Sequence, residues 1–155
     1  MDTAMREQLE IDPNDWRSVM DVEHHLALNV ELHEFINACF KPWKYWKRKD
    51  MNMDDVLDEA IDVIHFSMLL INKNPTDTLA KSERIARKLQ DSEELKHEID
   101  VRDAMFNTST SNNSVAVKLV RVLQILDYYG FTTQDILSAY NNKNKVNFER
   151  LNNGY

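Results

Sequence analysis

Glycine and proline are nearly missing, two and three respectively in 155 residues. A many-stranded β protein needs those residues to punctuate its turns, so an all-α fold is expected before any motif is read. The single cysteine, Cys39, excludes an intrachain disulfide and a cysteine-based zinc site. Next to Phe40 at a helix end, it reads as a packing residue and not a nucleophile. Apolar runs are short, and none approaches the ~18 residues that span a bilayer. Met1–Glu7 also lacks the apolar core of a signal peptide, so a reducing, cytoplasmic setting with no membrane partner is expected. Positive charge is in deficit too. With 19 Lys and Arg against 26 Asp and Glu, the net charge is −7. That argues against a general nucleic-acid binder, which needs a basic surface to displace counterions.

What remains is 43% hydrophobic and 29% charged, a globular composition. The length suits one domain, residues 1–155, with a real core. Residues 3–11 suggest a short helix ending at the turn Asp12-Pro13-Asn14-Asp15. From Trp16 to about Phe40 no proline or glycine intervenes, and Val19, Val22, Leu26 and Val30 recur at helical spacing. Pro42 stops that helix. A connection rich in Lys, Arg and Trp follows over 41–53. Asp54-Asp55 then opens a second long helix, apolar nearly all round, which runs to about Ile71 and belongs at the centre of a bundle. Residues 73–114 read as a peripheral insertion or lid. Its helix-prone part, 78–106, has Leu79, Ile85, Leu89, Leu95 and Ile99 as sparse apolar points, and 107–114 reads as a polar loop. A dense apolar helix over Val115–Tyr129 is terminated by Gly130. Thr132-Thr133-Gln134-Asp135 resembles a capping box opening the last helix.

Two acidic pairs stand out: Glu31-x-x-Glu34 on the first long helix and Glu59-x-x-Asp62 on the second. At i,i+3 spacing each pair projects from one helix face. A helical wheel places the first pair with Ala27, Leu28, Phe35 and Ala38, and the second with Val63, Phe66 and Leu69. One such pair is commonplace on a solvated surface. Two pairs on apolar stripes repel one another and resist desolvation unless a cation neutralises them. An oxygen-only donor set suits Mg2+, with Mn2+ as the alternative, better than iron or zinc. Asp54, Asp55 and Asp58 are explained as an acidic first turn. His65 makes half of a di-iron acid-x-x-His motif whose second half is missing, so it reads as a core or supporting residue. His24, His25 and His33 lie on different faces.

Two further stretches are ambiguous from their spacing. Trp43 and Trp46, interleaved with Lys41, Lys44 and Lys47, serve equally well as loop anchors or as a flat surface for a base beside cations for phosphates. Tyr140, Lys143, Asn144, Asn147 and Arg150 recur at three- and four-residue spacings, a pattern that by itself favours a plain amphipathic surface helix.

In combination and order, these motifs resemble the all-α nucleoside triphosphate pyrophosphohydrolases, the MazG-like superfamily. The Pro42-Trp43-Lys44-Tyr45-Trp46-Lys47 loop and the ending Tyr140-x-x-Lys143-Asn144-x-x-Asn147-x-x-Arg150 with Gly154-Tyr155 resemble its dimeric dUTPase and dCTPase branch. The resemblance implies Mg2+-dependent cleavage of a pyrimidine deoxynucleoside triphosphate, dUTP first, to the monophosphate and pyrophosphate. By the same resemblance Glu31, Glu34, Glu59 and Asp62 hold the metal, and Glu31 or Glu34 orients the attacking water. Trp43, Lys44 and Trp46 belong to the loop that contacts the nucleotide. Lys143, Asn144, Asn147 and Arg150 contact phosphates and base, and Gln8 belongs to a pyrimidine-reading segment. A homodimer is expected from the family and from an apolar central helix that one chain would struggle to cover. The alternatives are a dCTPase or a broader MazG-like enzyme, and, in a different class, a helical interaction protein whose acids pair with the Trp-Lys loop.

Overall fold

The computed structural model describes residues 21–73, 78–110 and 113–153. The short helix read over 3–11, its turn, and Gln8 lie outside the described residues. Those residues form six helices and no strand: α1 (Asp21–Ala38), α2 (Met53–Asn72), α3 (Thr78–Gln90), α4 (Glu98–Thr110), α5 (Val115–Tyr128) and α6 (Thr133–Asn152). α2 is the hub and packs against α1, α5, α6 and, less extensively, α3. One core joins Leu28, Leu32 and Phe35 of α1 to Val56, Ala60, Ile61 and Val63 of α2, with Val101 and Met105 of α4 and Val122 and Leu126 of α5.

The helix ends follow from their sequences. Asn52 caps α2, its side chain accepting from the Asp54 N–H at 3.1 Å, while Asp54 and Asp55 complement the positive end of the helix dipole. α5 ends in a Schellman motif in which Gly130 N–H donates to Asp127 O and Phe131 N–H to Leu126 O, at 2.8 and 3.0 Å. Gly130 takes φ 85° there, a left-handed conformation that a side chain opposes. The capping box is present with Asp as its acid. Thr132 N–H donates to Asp135 Oδ2 at 2.8 Å, and Asp135 N–H donates to Thr132 Oγ1 at 3.2 Å.

Three expectations change. The stripe that suggested the first helix faces water: Val22, Leu26 and Val30 are 74%, 64% and 48% exposed, while His24, Leu28, Leu32 and Phe35 are buried. Residues 22, 26 and 30 lie about half a turn from that buried set, so the periodicity was helical and the face was the wrong one. α4 continues to Thr110, into the stretch read as a loop. Its hydroxyls bond back to the preceding turn, Thr108 Oγ1 to Ala104 O at 2.6 Å and Thr110 Oγ1 to Phe106 O at 2.7 Å. Of the apolar points expected in the 78–106 stretch, Ile85 and Leu95 pack on the core while Leu79, Leu89 and Ile99 are exposed. α4 instead buries Val101, Ala104 and Met105.

A β-carbon at Gly130 would meet open space, so the penalty there is backbone strain alone. Gly130→Ala is expected to destabilise the fold by about 1 kcal/mol, measured as a lower midpoint in urea with an unchanged slope.

Candidate active site

α1 and α2 form the most extensively packed helix pair, and that packing fixes the acids they carry. One carboxylate oxygen each from Glu31, Glu34 and Glu59 lies within 4.8 Å of the others. Glu34 is exposed, whereas Glu31 and Glu59 are half-buried. Asp62, one turn beyond Glu59, faces a cation: its Oδ2 is 2.5 Å from Lys143 Nζ on α6. Lys143 also reaches Asp58, Oδ1 at 3.1 Å and the backbone carbonyl at 3.3 Å.

The electrostatics record how crowded these charges are. Burial raises the Glu31 carboxyl from the ordinary 4.5 to about 7, helped by the negative charges of Asp62, Glu34 and Glu59 and opposed by Lys143. Glu59 is also raised, by burial first and then by Glu34 and Asp62. A converging, oxygen-only donor set with unbalanced negative charge fits a hard divalent cation. A resident cation there would supply the missing positive charge and polarise phosphate oxygens.

Beside the cluster opens a cleft of about 790 Å³, lined by Glu31, Asp58, Asp62, His65 and Phe66 on one side and by Lys143, Asn147 and Arg150 on the other. It is therefore acidic along α1 and α2 and basic along α6. Asn144 is not among the residues lining the cleft and bonds His65, with Oδ1 2.7 Å from Nε2. Tyr140 stacks on the same imidazole, centroids 4.3 Å apart. Burial lowers the proton affinity of His65.

The Trp-Lys loop lies outside the residues lining this cleft. Trp43 packs against the core and donates its indole N–H to Ile36 O at 3.0 Å. Lys44 bonds Asn37 and lies 4.7 Å from the Trp43 ring centroid. Trp46 meets Trp43 edge-on and is largely exposed. Among the described residues no ion pair joins this loop to the four acids; of the four, Asp62 pairs with Lys143.

Of the residues expected in a site, Glu31, Glu34, Glu59, Asp62, Lys143, Asn147 and Arg150 thus gather at the cluster and cleft. Asp58 was missed, having been assigned to the first turn of α2. Its four-residue spacing from Asp62 was the available signal, since it lets one ammonium bridge both acids. His65, read as a core or supporting residue, is buried and bonded to a residue of the C-terminal motif.

A carboxyl raised in the folded protein binds its proton more tightly than in the unfolded chain. The folded state therefore loses stability as pH rises from 4.5 towards about 7. His65 acts in the opposite sense, its folded affinity being lowered, so Glu31 is isolated by a difference. In chelator, Glu31→Gln is expected to gain stability relative to the parent as pH rises from about 5 to about 8. Parallel melting curves across that range would contradict the raised Glu31 carboxyl.

No curated protein or solved structure matches the sequence. A model of the dUTPase family matches residues 1–155, and with it come an all-α fold and a divalent-metal requirement that the glutamate cluster can meet. On that end-to-end match, the chain belongs to the dUTPase family.

Proposed function

We propose that this dUTPase cleaves dUTP to dUMP and pyrophosphate with Mg2+ held by Glu31, Glu34, Glu59 and Asp62. The observation that carries the reading is the convergence of three carboxylates from two helices within 4.8 Å, beside a cleft whose opposite wall is cationic. Water adds across the bond joining the α- and β-phosphates, so no covalent nucleophile is needed; the buried Cys39 thiol, pushed far up by burial, is in no state to provide one. When bound, Mg2+ neutralises charge on the phosphate oxygens. Glu31 and Glu34 accept hydrogen bonds from the attacking water and orient it. Lys143 and Arg150 offset the charge of the phosphate tail, Lys143 exchanging Asp62 for a phosphate oxygen, and Asn147 donates to the nucleotide, while Asn144, which does not line the cleft, bonds His65. Trp43, Lys44 and Trp46, on a loop outside the cleft lining, would meet the part of the nucleotide that extends beyond the cleft. The lone buried thiol fits a reducing, cytoplasmic setting.

A non-catalytic interaction protein, whose acids would pair with the Trp-Lys loop, is disfavoured because among the described residues no ion pair joins the loop to those acids, and Asp62 pairs with Lys143 instead. Pyrophosphate release measured over the eight common nucleoside and deoxynucleoside triphosphates, with and without Mg2+, tests the substrate. Turnover of dUTP that requires the metal is expected; a preference for dCTP or for ribonucleotides would favour the dCTPase or MazG-like alternatives. Glu59→Gln is expected to lower kcat by at least ~100-fold with helical content retained, and near-parental turnover would overturn the metal assignment.

A homodimer accompanies this reading, but its support shifts. α2 is well covered within one chain, whereas α1 exposes Val22, Leu26 and Val30 along a single stripe, an apolar surface suited to a second copy. Leu26→Lys is expected to convert the dimer to monomer in sedimentation velocity, with the helical fold retained.

A further inference from the structure

Asp62 belongs to the proposed metal set, yet its carboxylate is turned to a lysine. The three glutamates bring oxygens within 4.8 Å of one another, and Asp62 does not join that set. Its Oδ2 instead meets Lys143 Nζ at 2.5 Å. The same ammonium lies 3.1 Å from Asp58 Oδ1 and 3.3 Å from the Asp58 carbonyl oxygen. Asp58 and Asp62 are four residues apart on α2, so one ammonium spans both. The two contacts differ in surroundings. The side chains of Lys143 and Asp62 are 19% and 26% exposed, whereas that of Asp58 is 68% exposed. The proposed chemistry gives Asp58 no part, and Asp54 and Asp55 already complement the helix dipole.

An ammonium and a divalent ion attract the same carboxylate and repel each other. Lys143 therefore competes with a metal for Asp62. Leaving a half-buried ammonium without a partner is costly, so a Lys143 with no alternative would keep its hold on Asp62. Asp58 supplies the alternative. An ammonium has three donors, and the Asp58 carboxylate and carbonyl oxygens stay within its reach when Asp62 turns away. Because Asp58 is the more exposed acid, solvent weakens its pull on Lys143. The lysine is thus shared in favour of Asp62 and can still be released from it.

We infer that Asp58 is a positioning residue for the metal site, which retains Lys143 on the cleft wall and so frees Asp62 to complete the set begun by Glu31, Glu34 and Glu59. Asp58 acts through Lys143 and itself touches neither metal nor nucleotide. The inference rests on the function proposed above, in its assignment of Asp62 to the metal. It requires no contact between Lys143 and the substrate, so it is tested with the metal alone.

The probe is Mn2+, titrated into the full chain without nucleotide and followed by the free-ion signal in electron paramagnetic resonance. Asp58→Asn is expected to weaken Mn2+ binding about 2- to 5-fold. Asp54→Asn removes an equal charge one turn earlier on the same cleft wall, away from Lys143, and should change the affinity by less than about 1.5-fold. Lys143→Met removes the competitor and should tighten binding about 10-fold. In that background Asp58→Asn should have no further effect beyond about 1.5-fold, because its route of action is gone. Parental affinity in Asp58→Asn would overturn the positioning role. So would an equal deficit in Asp54→Asn, or an Asp58→Asn deficit that persists in full beside Lys143→Met, since either reduces Asp58 to bulk charge. Weaker binding in Lys143→Met would overturn the competition itself. If Lys143→Met does not fold, Lys143→Gln replaces it in the same comparison. Failure of the parent to bind Mn2+ would overturn the metal assignment and this inference together. Metal-dependent turnover of dUTP with an Asp58→Asn variant of parental Mn2+ affinity would overturn the inference alone.

Discussion

Like charges held together are the constraint on which this structure turns. Glu31, Glu34 and Glu59 bring carboxylate oxygens within 4.8 Å of one another, and Asp62 lies one turn further along α2. Without a counter-charge these groups repel, and burial first, with that repulsion added to it, raises the carboxyls of Glu31 and Glu59. The opposing term is apolar. Leu28, Leu32 and Phe35 interleave in one core with Val56, Ala60, Ile61 and Val63, all buried, and burial of each of these side chains larger than alanine contributes roughly 1.5–3 kcal/mol. The acids sit at the margin of that core, so the packing that stabilises the bundle also fixes the spacing of the carboxylates. Pre-set spacing is what a metal-dependent hydrolase requires, because ligands that had to gather on binding would lose affinity to ordering.

Much of this was legible in the chain itself. Scarcity of glycine and proline gave the all-α class. Local chemistry located the boundaries, with Gly130 at the end of α5 and Thr132 with Asp135 at the start of α6. The acidic pairs were legible because carboxylates next to apolar residues contradict ordinary partitioning. What failed was the choice of face. On α1 the stripes Val22, Leu26, Val30 and Leu28, Leu32, Phe35 are both helical in period, and nothing within one helix says which of them meets α2. The answer comes from packing, which buries the stripe containing Phe35 and leaves the other for a second copy in the proposed dimer. Core residues of α4 were missed for a related reason. Val101, Ala104 and Met105 form a short apolar patch within a polar stretch, too small to raise the average. Asp58 looked like a dipole-compensating residue because only the folded chain brings Lys143, distant in sequence, against it.

α6 is where fold and function are hardest to separate. Among its described residues none is fully buried, and Ile136, Ala139 and Tyr140 are its partly buried contacts with the core. Beyond Tyr140 the recorded attachments are polar and belong to the site: Lys143 to Asp58 and Asp62, and Asn144 to His65. An exposed ion pair contributes ~0–1 kcal/mol, and a half-buried, charge-assisted contact such as Lys143 with Asp62 contributes more. The second half of α6 is thus held chiefly by the groups that would engage a nucleotide. In the proposed mechanism, exchange of Asp62 for a phosphate oxygen at Lys143 would remove one tether and add another, running through the ligand. Substrate and helix docking are therefore linked thermodynamically, and by that linkage whatever steadies α6 on the bundle also raises affinity for the nucleotide, and the reverse.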